Sequence, residues 1–134
     1  MRIVVIIILL LAAHFNLTAF APAQAGKATF YWPFAADSRS WLSFIGGLPQ
    51  QSGLLTTLLA AVAGLGFLAA AFALIGWIVP EDWWLPLVII AAIVSAMLYV
   101  LYFGGNALIP IALDAVMLWG VTVQGWTVAA LRSV

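Results

Sequence analysis

Residues 54–79 read LLTTLLAAVAGLGFLAAAFALIGWIV, twenty-six positions without one charged side chain. As a helix this stretch reaches about 39 Å, more than the roughly 30 Å of a bilayer's hydrocarbon core. Three more apolar runs of comparable length lie at 3–21, 84–103 and 107–131. The whole chain is 67% hydrophobic and 6% charged over 134 residues, too little polar surface to coat a water-soluble globule. Helix is the state these runs require, because backbone groups in lipid must be satisfied within the segment or in a closed barrel. The alternating polar positions of a barrel strand are missing. The expected fold is therefore all-α, a single integral membrane four-helix bundle spanning residues 1–134.

The joints between the runs agree. Pro80-Glu81-Asp82 and Gly104-Gly105-Asn106 carry turn chemistry and predict two tight hairpins in the C-terminal part. Pro86 and Pro110 fall in the first turns of their helices, where a missing N–H costs little. Under this topology Trp77, Trp83, Trp84 and Trp126 gather at one membrane face, and Tyr31, Trp32, Trp41, Tyr102 and Phe103 at the other. Trp119 falls near mid-membrane.

Residues 22–52 form the one substantial non-spanning segment, and it is aromatic: Phe30, Tyr31, Trp32, Phe34, Trp41, Phe44 and Ile45. Asp37 is placed to cap a short helix whose face carries Trp41, Phe44 and Ile45. The first reading is a helix lying in the bilayer interface. The second is a partner-docking surface at Tyr31, Trp32, Trp41 and Phe44.

At the N-terminus, Arg2, an apolar run and Ala23-Gln24-Ala25 have the pattern of a secretory signal. The run is long for a signal core and contains His14 and Asn16, so it reads as a retained anchor. Four passes put both termini on one side of the membrane. The count of basic residues ties, Arg2 and Arg132 against Lys27 and Arg39, and the signal-anchor pattern favours a cytoplasmic N-terminus in a bacterial cytoplasmic membrane.

Composition also excludes. A formal net charge of +0 gives no basic stripe for nucleic acid. Zero cysteines remove disulfides, thiolate nucleophiles and zinc–thiolate sites. No His cluster or paired carboxylates have metal-site spacing. A Ser–His–Asp arrangement would need Ser95 and a membrane-embedded His14; Ser95 reads instead as a hydrogen-bonding helix residue. Glu81 and Asp82 read as a solvated turn. Gly64-Leu65-Gly66-Phe67-Leu68-Ala69 imitates a dinucleotide fingerprint, but it lies within a membrane helix with no strand before it. Its reading is close helix packing: Ala60 with Gly64, and Gly66, Ala70 and Ala73 along a neighbouring stripe.

Few groups remain for chemistry. His14 and Thr18 share a helix face with Ile7 and Leu11, and Asn16 points about 160° away. His14 lies about 16 Å into its span and Asp114 about 10 Å into its own from the opposite face. Within a core of about 30 Å these depths agree to one helical turn. A His14–Asp114 pair is thus a candidate polar site, either as a clasp between helices or as a proton relay, gate or polar ligand site; the other reading of Asp114 is a residue near the headgroups that reaches Asn106 or interfacial water. His14 alone is a candidate ligand for a haem or chlorophyll-type pigment, although one histidine requires five-coordination or a partner chain. No cofactor is required by the sequence; a pigment, haem or lipid is the kind that would fit.

The expected function is non-enzymatic: a structural or accessory subunit of a larger membrane complex of respiratory or photosynthetic type. Its expected partners are the lipid bilayer and either other membrane subunits or further copies of itself. The alternative is a small oligomeric transporter or channel built around His14 and Asp114. An intramembrane enzyme acting on lipid or quinone has the least support, since acid–base groups are scarce.

Overall fold

The computed structural model describes residues 1–20, 53–101 and 107–133, with the side chains of 53–55 excepted. The loop residues Tyr31, Trp32, Trp41 and Phe44, together with Tyr102, Phe103 and Asn106, lie outside the described residues. Among those described there is no strand. The elements are α1 (Arg2–Leu17) with a 3-10 turn Thr18–Phe20, α2 (Gly53–Ile75), a 3-10 turn Glu81–Trp83, α3 (Trp84–Leu101), α4 (Leu108–Thr122) and α5 (Val128–Arg132). Three helical stretches are long and apolar enough to cross a membrane: Arg2–Phe20, Thr56–Ile75 and Glu81–Leu101.

Helix α2 is the hub. It packs against α1 on one side and α3 on the other; α3 then packs on α4, and α4 meets α1 along a narrow seam. The small residues of α2 allow this. A Cβ at Gly64 would stand 2.7 Å from the Leu17 side chain of α1, and one at Gly66 would stand 2.9 Å from Ala91 Cβ of α3. Ala60, Ala70 and Ala73 are wholly buried. The fingerprint-like glycines therefore serve two different helix contacts, close enough that a methyl group already collides.

The apolar core divides in two. One cluster gathers Val5, Leu9, Phe67, Leu74, Val88 and Met117 with their neighbours. The second gathers Phe15, Ala60, Leu98, Tyr99 and Ala107. Buried polar residues Asn16, Ser95 and Asp114 lie where the two meet along α1, α3 and α4.

Two helices end earlier than the apolar runs that contain them. Helix α2 stops at Ile75 because Gly76 takes a left-handed conformation, with φ 86°. Its N–H bonds Ala73 O at 3.1 Å, and Trp77 N–H bonds Phe72 O at 3.0 Å. This is a Schellman ending, with the expected hydrophobic contact in the form of edge-on Phe72 and Trp77 rings 5.2 Å apart. Arg132 satisfies the neighbouring carbonyls, donating to Ala73 O and Leu74 O at 3.2 Å each. It also pairs with Glu81, so the turn read as merely solvated is tied to the C-terminus. Both partners are partly exposed, so the pair adds little by itself.

The fourth run is not one continuous helix. After Thr122 the chain turns through Gly125, at φ 67°, and restarts at Val128 with Thr127 Oγ1 accepting from Ala130 N–H. Trp126 folds back so closely that a Cβ on Gly120 would lie 2.1 Å from its ring. Trp126 N–H also bonds Gly120 O at 2.9 Å. The hydropathy of 107–131 conceals this break because the residues in the turn are themselves mostly apolar. Trp84, assigned from sequence to the aromatic belt with Trp77 and Trp83, instead turns inward and is 1% exposed.

Two substitutions should separate the faces of α2. Gly66→Val is expected to destabilise the bundle by about 1–3 kcal/mol, because Ala91 has no flexible end to move away. Gly64→Ala should be close to neutral, since Leu17 can swing aside and alanine favours helix by about 1 kcal/mol. Unfolding titrations in mixed micelles measure both, and equal losses would contradict the packing described.

Candidate functional site

The groups that can do chemistry meet in the polar layer between the two apolar clusters. Asn16 comes from the last turn of α1, Ser95 and Tyr99 from one face of α3 at i and i+4 spacing, and Asp114 from the middle of α4. Asn16 and Ser95 are 0% exposed, and Tyr99 and Asp114 are 1% exposed.

Their bonds cross between helices. Asn16 Nδ2 donates to Ala12 O at 2.8 Å, one turn back on α1, and to Ser95 Oγ at 3.0 Å on α3. The Ala12 carbonyl fixes the amide orientation, because the amide oxygen in that place would face another acceptor. Tyr99 Oη donates to Phe15 O at 2.6 Å. Phe15 carries one of the last carbonyls of α1, which a helix terminus leaves without an internal donor. Thr18 Oγ1 donates to the same oxygen at 2.6 Å, so both lone pairs are used. α3 thus caps the end of α1.

Asp114 completes the layer and is its least satisfied member. The Ser95 hydroxyl faces its carboxyl group. The contact falls outside hydrogen-bonding geometry, and both carboxyl oxygens, with Asn16 Oδ1, have no partner. All three partnerless atoms in this layer are acceptors. Each such group, buried without a bond, costs about 1–3 kcal/mol.

The structure does not bring His14 and Asp114 together. His14 is on the exposed face of α1, its ring 5.5 Å from that of Phe15. Helix phase is the reason: two residues further along, Asn16 points about 160° away from His14, into the bundle. Asn16 is therefore the α1 residue that meets α3 beside Asp114. Ser95 is legible in the sequence as a bonding residue and Asp114 as a candidate polar group, whereas the α1 role expected of His14 falls to Asn16, and Tyr99 is an addition. The spacing of Ser95 and Tyr99 on one helical face was the available signal. Trp119 is half exposed on α4 and meets Trp126 edge-on at 6.4 Å.

Among the described residues no group of three His, Asp or Glu side chains could hold a metal ion. A cleft of about 250 Å³ opens at the hairpin end, lined by Glu81, Asp82, Trp84, Leu85 and residues 127–129. It borders the start of α3, whereas Ser95 lies about 16 Å further along that helix. The chain matches no protein-family model, no curated protein and no solved structure.

Interhelical hydrogen bonds in apolar surroundings are worth about 0.6–2 kcal/mol each. Tyr99→Phe should lose one such increment and loosen the end of α1. Ser95→Ala should lose at least as much, since it strands an Asn16 hydrogen as well. Hydrogen exchange at the C-terminal turn of α1 distinguishes them: Tyr99→Phe accelerates it more than Ser95→Ala does.

Proposed function

We propose that this chain is a non-enzymatic integral membrane protein serving as a structural or accessory subunit of a larger membrane assembly. It makes four passes, the fourth broken between α4 and α5, and both termini lie on one side of the bilayer. The observation that carries this reading is the inverted distribution of side chains. The polar residues of the layer point inward and are largely engaged in bonds between helices, whereas the outward faces carry apolar stripes. Leu58, Val62 and Leu65 form one such stripe on α2, and Ile93, Met97 and Val100 another on α3, all at least 46% exposed. Surfaces of this kind are covered by lipid or by other membrane helices, not by water.

Extraction in mild detergent tests the subunit role. The chain should emerge in fixed stoichiometry with other membrane polypeptides, and recovery of a free monomer or homo-oligomer alone would overturn it.

A second reading is a small oligomeric transporter or channel. It is favoured by one observation, the partnerless carboxyl group of Asp114 in the bundle interior, since buried acids in membrane helices often line ion pathways. Here Asp114 with Asn16 and Ser95 replaces the pair expected from sequence. Reconstituted liposomes should then show proton or cation flux that Asp114→Asn abolishes; no flux across a broad panel removes this reading.

A further inference from the structure

The polar layer can be balanced hydrogen by hydrogen. Asn16 spends both amide hydrogens, on Ala12 O and Ser95 Oγ. Tyr99 spends its hydroxyl hydrogen on Phe15 O. Ser95 accepts from Asn16 and so keeps its own hydrogen, on the hydroxyl that faces Asp114. Against that single hydrogen stand three partnerless acceptors: Asn16 Oδ1 and both carboxyl oxygens of Asp114. An ionised Asp114 leaves at least two of them unsatisfied.

Among the described residues it would also have no counterion. Helix α2 contains no titratable side chain, α3 contains only Tyr99, and α4 contains only Asp114. On α1 the titratable side chains are Arg2 and His14, both exposed. Arg132 is engaged with Glu81 and the end of α2. An isolated carboxylate in an apolar interior costs several kcal/mol or more.

One added proton changes the balance. A carboxylic acid offers one donor and one acceptor through the same group. Asn16 offers the same pair toward the layer, and so does Ser95. We propose that Asp114 is a neutral acid in the folded protein and that its proton closes a three-membered ring. Asn16 Nδ2 donates to Ser95 Oγ, Ser95 donates to one Asp114 oxygen, and the other Asp114 oxygen donates to Asn16 Oδ1. Each side chain gives once and receives once. Asn16 is held by Ala12 O and Ser95 Oγ, so the ring closes through the terminal torsion of Asp114, which is broad. The layer is thus a binding site for one proton, and that proton ties α4 to α1 and α3. Loss of the proton sets three acceptors against one another beside the narrow α1–α4 seam, where the bundle has least packing to hold it.

Infrared spectroscopy of the full chain in lipid nanodiscs tests this at neutral pH. The expected result is the carbonyl stretch of a protonated carboxylic acid, shifted in heavy water and lost in Asp114→Asn. Asparagine can place one donor and one acceptor on the ring with its second N–H left over, so Asp114→Asn should keep the ring and shift the unfolding equilibrium less than Asp114→Leu does. Asp114→Leu, which cannot close it, should shift that equilibrium about three- to thirtyfold. If the leucine variant does not fold, aspartate-specific isotope labelling of the wild type still assigns the band. Carboxylate bands alone for Asp114 would overturn the proposal. So would wild-type stability that rises when sodium replaces choline at constant ionic strength, because the occupant would then be a metal cation.

Discussion

At Gly64 and Gly66 helix α2 presents bare backbone to its two neighbours, and the close approach of α1 and α3 depends on that. Gly64 lets Leu17 of α1 lie against the α2 backbone, and Gly66 does the same for Ala91 of α3. In lipid, helices gain little from hydrophobic burial against one another, so close approach and packing must hold them. With both neighbours drawn in on the same helix, α1 and α3 come near enough for Asn16 to bond Ser95 at 3.0 Å and for Tyr99 to reach the Phe15 carbonyl. A bulky residue at Gly66, where Ala91 cannot move aside, would push α3 away and lengthen these bonds.

The polar layer in turn sets register. Apolar surfaces slide past one another at low cost, because one stripe of Leu and Ala resembles the next turn of itself. A buried Asn, Ser and Asp cannot slide, since each bond lost strands a polar atom in the core. The layer therefore fixes the axial positions of α1, α3 and α4, with apolar clusters free to pack above and below it. At the hairpin end Arg132 has a related role. It joins the end of α2, the turn at Glu81 and the short α5 through one side chain.

Much of this was legible in residues 54–79 and their companions, because length and hydropathy act locally. A run of more than about twenty apolar residues must be helical in an apolar solvent whatever its neighbours do. The glycine and alanine stripe was legible too, as a smooth surface for close packing, although not which glycine met which helix. The ends of α2 and α4 were harder to read. Gly76 and Gly125 are ordinary residues of an apolar run until their positive φ angles are seen.

The site divides in the same way. The amino-acid chain alone required helices long and apolar enough to cross a membrane and put a costly acid, Asp114, among them, since the cost of burying a charge depends only on the surroundings that the chain supplies. It did not say which groups would relieve that acid. Equal depth made His14 the natural partner, but depth is one coordinate of three. The rotation of α1 about its own axis turned Asn16 inward and His14 outward, and only the assembled helices carry that angle.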